Sequence, residues 1–176
     1  MIKKLKRAGY VTYESHRGCG LTAAGRRYGM RILRRHRLLE LFLVKSLNVD
    51  WTEVHEEAEN LEHAVSEKLI DLIDAQLGHP SRDPHGDLIP TKGQVDLKPT
   101  DLPLVELQEG QGGRIARVAG DAARLAYFRS EGLMPGARVT VLERNRESGL
   151  MGLRLERTEK CLALAALGGV YLEGVD

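Results

Sequence analysis

The chain has 176 residues, of which 42% are apolar and 29% charged, and its formal net charge is +1. These values fit one ordinary soluble domain or two small ones and exclude a disordered chain. MIKKLKRAGYV lacks the apolar run of a signal peptide and no later stretch reads as a membrane span, so a cytoplasmic protein without membrane contact is expected. Cys19 and Cys161 lie too far apart in sequence to suggest a disulfide framework and read as free thiols.

The small net charge hides a strong asymmetry. Residues 1–50 hold 12 Lys/Arg against 3 Asp/Glu, residues 51–110 hold 4 against 14, and residues 111–176 hold 10 against 8. A basic block followed by an acidic one fits an anionic partner at one end and a cation at the other, although solvated Arg-rich helices give the same count.

In chain order, Ile2 to Ala8 reads as the last turns of a basic helix closed by Gly9. Tyr10 to Glu14 and Leu21-Thr22 read as a hairpin across SHRGCG, with the outline of a wing. Thr22 reads as the N-cap of a helix from about Ala23 to Lys45 that ends near Asn48. Its apolar residues Ile32, Leu33, Leu39, Leu43 and Leu47 exceed what a hairpin can cover, so they predict packing against the next helix and a partner subunit. His36 and Glu40, four apart, share a face as a metal-ligand pair or a surface hydrogen-bonded pair.

Asp50 or Thr52 is expected to cap the following helix, with Trp51 buried at its entry. The pattern predicts one continuous helix over Val54 to Leu72, extending to Leu77 and closed by Gly78. At roughly 100° per residue, His55, Glu59, Glu62, His63 and Ser66 gather on one face. Val54, Ala58, Leu61, Val65, Leu69 and Leu72 form a neighbouring apolar stripe. Imidazoles and carboxylates without thiolate suit a divalent ion such as Mn, Fe or Zn, while a solvated acidic face accounts equally for the charges. Glu59 occupies the position of the second histidine of HExxH, which excludes that protease motif.

HPSRDPHGDLIP is a loop, in which His79 and His85 read as polar loop residues rather than ligands. Residues 91–101 read as a linker. Beyond it, short strand-like runs broken by glycine predict a small barrel, interrupted by one helix over Asp121 to Glu131. Without Glu-x-x-His spacing, a P-loop, a dinucleotide fingerprint or an informative Ser/His/Asp grouping, the chain reads as a binding protein and not an enzyme.

His36-Arg37-Leu38 with Glu40, Val54-His55-Glu56-Glu57-Ala58, Leu61-Glu62-His63-Ala64-Val65-Ser66 and Pro84-His85-Gly86-Asp87 through Ile89-Pro90 together resemble the metal-binding and dimerisation domain of the diphtheria toxin repressor (DtxR) family. Leu107 to Arg117 with Gly132-Leu133-Met134-Pro135-Gly136 resembles the FeoA-type, SH3-like barrel that many members carry. The resemblance implies an α+β chain with a winged-helix remnant over residues 1–22, a helical metal-binding and dimerisation domain over 23–90, and an SH3-like barrel over 102–176. It implies one metal site at His36, Glu40 and His55 and another at Glu59, Glu62 and His63. Asp121 falls where some members add a barrel ligand, beside an Arg124 that has no lone pair to give. Glu59 stands where iron-responsive members often have cysteine, which favours Mn(II), with Fe(II) and other divalent transition metals as alternatives.

The function implied is a homodimeric, metal-dependent DNA-binding regulator, most simply a repressor of metal-homeostasis genes. Met1 to Leu5 resembles only the later part of a recognition helix, which leaves Lys3, Lys4, Lys6, Arg7, His16 and Arg17 for DNA phosphates. The helices that precede it in the family, and a segment that donates a ligand there, have no counterpart, so weak DNA binding is expected of this chain. The alternative is a dimeric metal-sensing module without autonomous DNA binding, whose barrel docks a protein partner.

Overall fold

The computed structural model describes residues 2–14 and 18–176. Its contacts divide the chain into a helical unit, Met1–Asn48, Glu56–Asp83 and Leu88–Lys98, and a barrel unit, Val49–His55, Pro84–Asp87 and Pro99–Asp176.

The helical unit opens with α1 (Ile2–Arg7) and an antiparallel hairpin of β1 (Val11–Glu14) and β2 (Gly18–Leu21), in register Val11 with Leu21. Thr22 joins this hairpin to α2 (Ala23–Leu47): its hydroxyl donates to the Gly9 carbonyl (2.7 Å) and its oxygen accepts from Gly25 N–H (3.0 Å) as the helix N-cap. Gly25 is required there, because a Cβ would stand 2.0 Å from the Tyr10 carbonyl oxygen. Tyr10 stacks on Tyr28 of α2 with ring centroids 4.8 Å apart. At the far end Asn48 takes the left-handed conformation (φ 57°) that stops the helix, and its N–H donates to the Leu43 carbonyl.

The single long helix expected over Val54 to Leu72 is two helices, α3 (Val54–Glu62) and α4 (Glu67–Gln76). Ala64 and Val65 N–H both donate to the Leu61 carbonyl, and Ser66 then leaves helical geometry (ψ 155°) to cap α4 through Leu69 N–H at 3.3 Å. Ser66 is therefore a cap, not a member of a ligand face. The break also ends the expected apolar stripe. Val54 and Ala58 are fully buried, but Leu61, Leu69 and Leu72 are exposed, and α4 buries Ile70 and Ile73 instead. Leu38, Leu39, Leu41 and Leu43 of α2 are buried, whereas Leu47 is exposed. Each leucine buried in this way contributes about 1.5–3 kcal/mol. Asp50 opens the turn that leads into α3: its side chain accepts from Thr52 N–H (2.8 Å) and from the Thr52 hydroxyl (2.7 Å).

In the barrel unit, β3 (Leu102–Pro103), β4 (Gly112–Val118), β5 (Arg138–Asn145), β6 (Leu150–Leu155), β7 (Thr158–Ala163) and β8 (Val170–Glu173) form an antiparallel sheet in the order β3-β8-β4-β5-β6-β7. The sheet forms an SH3-like domain, with α5 (Ala122–Glu131) between β4 and β5. Alternation places Val139, Val141, Met151 and Leu153 inside with Ile115, Phe128 and Leu172, all at most 1% exposed. Asp121 caps α5 by accepting from Arg124 N–H at 2.9 Å, and Gly132 closes it with φ 78°. Both cysteines are free and exposed, and no helix among the described residues is long and apolar enough to cross a membrane.

Candidate metal centre

Two residues of α2 and the last residue of α3 build a buried polar cluster in the helical unit. His36 and Glu40 are one helical turn apart, and the His36 Nε2 lies 3.0 Å from the Glu40 Oε1. The other ring nitrogen, Nδ1, lies 3.0 Å from the Glu62 Oε2. The neighbouring Arg35 holds the same place on α3 by its backbone: its Nη1 donates to the Glu62 carbonyl (3.1 Å), and its Nε donates to Glu67 (2.7 Å). The end of α3 is thus fixed on α2 through both the main chain and the side chain of Glu62.

Glu40 is 3% exposed and Glu62 8%, so two carboxylates are buried against one imidazole. A buried carboxylate is costly unless it has a positive or hydrogen-bonding partner. Burial alone lowers the His36 pKa, but hydrogen bonds and charge from Glu40, then Glu62, outweigh it and leave the pKa raised above 6.5. A proton on His36 offsets one of the two carboxylate charges and leaves the other to be answered. The donor atoms are nitrogen and oxygen, the set that suits a divalent ion of intermediate hardness, and the site thereby fits a first-row metal.

The remaining expected ligands have different settings. Glu59 lies one turn before Glu62 on α3 and is exposed; His63 is the first residue past α3, with a side chain 72% exposed and Nε2 3.4 Å from the Glu62 Oε1. His55 stands exposed in the first turn of α3. The Asp121 carboxylate accepts the capping hydrogen bond of α5, and the Arg124 guanidinium donates to the Gly168 carbonyl (2.9 Å). Lys3, Lys4, Lys6 and Arg7 are exposed on α1, where Lys6 Nζ donates to the Tyr13 carbonyl (3.1 Å). His16 and Arg17 lie outside the described residues.

Sequence reasoning missed the surroundings of these groups. His79, exposed, pairs with Asp74 at 3.0 Å as a polar loop residue. His85, by contrast, is buried and its Nε2 lies 2.6 Å from the Trp51 carbonyl oxygen, which makes that nitrogen the donor. Arg34, 6% exposed, bridges α2 to Asp74 (2.9 Å) and Asp71 (3.5 Å) of α4. Arg129 on α5 binds both oxygens of Asp50, 79 residues earlier, at 2.6 and 2.9 Å. No local spacing announces a pair so distant in sequence.

A helical domain with a carboxylate–imidazole centre, joined to an SH3-like domain, defines a two-domain metal-binding architecture. The family model for the iron dependent repressor metal binding and dimerisation domain matches residues 22–91, and that of the FeoA domain matches residues 102–167. The chain is 31% identical over 153 residues to the iron-dependent repressor IdeR of Mycobacterium tuberculosis, covering 80% of this chain and 66% of that protein. It is 42% identical over 73 residues to the HTH-type transcriptional regulator MntR of Shouchella clausii, covering 42% of this chain and 50% of that one. Among solved structures, a manganese-dependent transcriptional repressor in complex with manganese is 41% identical with a TM-score of 0.88, over 97% of this chain and 80% of that one. ScaR with bound Cd2+ is 34% identical with a TM-score of 0.83, over 98% and 81%. The chain spans 66% of the length of the mycobacterial relatives and half that of the Shouchella one. It belongs to the DtxR/MntR family of metal-dependent regulators.

Proposed function

We propose that the protein is a homodimeric transcriptional regulator that binds DNA when loaded with Mn(II) or Fe(II), and that it represses metal-homeostasis genes in the cytoplasm. The observation that carries this reading is the buried Glu40–His36–Glu62 chain, two carboxylates held on one imidazole. The names of the relatives, iron-dependent and manganese-dependent repressors among them, support it.

In this reading His36, Glu40 and His55 form one ligand set and Glu59, Glu62 and His63 the other. Glu62 touches both His36 (3.0 Å) and His63 (3.4 Å), so its carboxylate couples the two sets. A bound divalent cation would supply positive charge against both the Glu40 and the Glu62 carboxylates. Asp121 belongs to neither set: it lies on the barrel, where its carboxylate caps α5 and the neighbouring Arg124 has no lone pair to give. With a carboxylate at Glu59, Mn(II) is the preferred ion, followed by Fe(II). Residues 23–90 are the metal-binding and dimerising domain, 91–101 the linker and 102–176 the FeoA domain, and exposed Leu47, Leu61, Leu69 and Leu72 supply apolar surface for a second copy. Lys3, Lys4, Lys6 and Arg7 meet DNA phosphates, a role that the sequence also gives to His16 and Arg17, and residues 1–22 belong to a winged helix.

The test is calorimetric titration with Mn(II). Replacing Glu59 and His63 together with Ala is expected to abolish one binding step, and His36→Ala to weaken both, while sedimentation still reports a dimer. Titrations identical to the wild type would remove the ligand assignment.

A further inference from the structure

We propose that Arg129 of the FeoA domain is a positioning residue for His55, and that the domain tunes metal affinity by holding the turn before α3 instead of donating a ligand. The proposal rests on the reading of His55 as a ligand. Asp50, five residues before His55, is enclosed by donors: its Oδ1 accepts from Thr52 N–H (2.8 Å), the Thr52 hydroxyl (2.7 Å) and Arg129 Nη2 (2.6 Å), and its Oδ2 accepts from Arg129 Nη1 (2.9 Å). The Asp50 carbonyl accepts from Glu53 N–H at 3.0 Å, so the whole of Asp50 to Glu53 is a hydrogen-bonded turn that leads directly into Val54 and His55.

The guanidinium does more than pair. Its carbon lies 5.3 Å from the centre of the Trp51 ring, and the His85 ring is also 5.3 Å from that ring. The Trp51 carbonyl accepts from His85, the His85 carbonyl accepts from Val118 N–H of β4 (2.9 Å), and Gly86 lets the loop sit where a Cβ would stand 2.0 Å from the Ala116 carbonyl oxygen. The turn is therefore gripped by α5 on one side and, through residues 84–87, by β4 on the other. An ion pair this exposed contributes little to stability. A two-point guanidinium fork does fix the orientation of the carboxylate it holds, which a point charge does not. Groups that orient a ligand without touching the metal commonly change affinity by about 10- to 100-fold.

The experiment uses Mn(II) calorimetry on the full chain in two backgrounds: Glu59→Ala/His63→Ala, which isolates the set containing His55, and His36→Ala, which disables that set. Arg129→Ala is expected to weaken binding about tenfold in the first background, with Arg129→Lys recovering only part of it, and to leave the second unchanged. Trp51 is the sole tryptophan, so its emission reports the grip directly and is expected to shift to the red in Arg129→Ala. Asp50→Asn, which keeps the side-chain shape, must show the same selective loss and stands in if Arg129→Ala does not fold. Equal weakening in both backgrounds, or none in the first, overturns the proposal. If His55→Ala leaves the first background unchanged, the ligand reading itself fails; if His55→Ala weakens it and the Arg129 and Asp50 variants do not, the positioning role alone fails.

Discussion

Gly86→Ala tests how the loop of residues 84–87 is seated on the barrel. At φ 89° an L-residue is strained by roughly 1–2 kcal/mol. The added Cβ would stand 2.0 Å from the Ala116 carbonyl oxygen and 2.7 Å from the Arg117 Cα. Contacts between non-bonded carbon atoms settle at about 3.5 Å or more, so the loop must lift by on the order of 1 Å. That movement stretches two hydrogen bonds, Val118 N–H to the His85 carbonyl and His85 to the Trp51 carbonyl. Each is worth about 1 kcal/mol, and unmade buried groups cost more. The expected loss is about 3–5 kcal/mol, which for a unit of this size lowers the melting temperature by roughly 15–30 °C. Thermal unfolding followed by circular dichroism and Trp51 emission measures both the loss and the release of the loop. A variant that melts with the wild type and keeps its emission would refute the steric reasoning.

Other consequences follow from single groups. The Arg129 guanidinium, then the Thr52 hydroxyl and N–H, holds the Asp50 pKa well below its ordinary 3.8. Because the folded value is depressed, the clamp is fully present above 3.8 and is lost only as pH falls through the lower folded value. Trp51 emission should therefore hold steady down through pH 3.8 in the wild type and be shifted at every pH in Asp50→Asn; a wild-type transition centred on 3.8 would contradict this. Leu38→Ala, at a fully buried position of α2, should cost about 2–5 kcal/mol in urea unfolding, and a loss below about 1 kcal/mol would place that residue outside the core. Asn48→Gly should keep the helix end of α2 intact while Asn48→Ala loses about 1 kcal/mol, since only the former accepts φ 57° freely; equal stabilities would argue against the left-handed cap. In metal-loaded duplex titrations, Lys3→Ala/Lys4→Ala removes two lysines from each protomer of the dimer and should flatten the dependence of log K on log salt by about 4, and an unchanged slope would remove these lysines from the DNA contact.

Much of this molecule is written locally. Thr22 before an apolar-periodic run and Asn48 after it delimit α2, because a cap acts on residues within one turn and leaves a mark of that length in the sequence. The hairpin of β1 and β2, α5 behind Asp121, and the spacing of His36 and Glu40 on one face are legible for the same reason. The break between α3 and α4 was also signalled: Ser66 with Val65 before it and Ile70 four after it is the pattern of a capped start with flanking apolar residues. Helical periodicity across Val54 to Leu72 obscured it, because Leu61, Leu69 and Leu72 continue a stripe that the folded chain leaves exposed.

What sequence could not supply was the company each polar group keeps. That Glu62 reaches the Nδ1 of His36, 26 residues earlier, depends on how α3 packs on α2, and its consequence, a raised His36 pKa, belongs to neither helix alone. Arg129 meets Asp50 across 79 residues because both lie in the barrel unit, and His85 is a buried donor instead of a solvated loop residue because β4 seats its loop. Caps, turns and periodicity act over a few residues and can be read in order. Burial and charge act through space, so the tertiary fold alone decides which carboxylates lose water and which cation answers them.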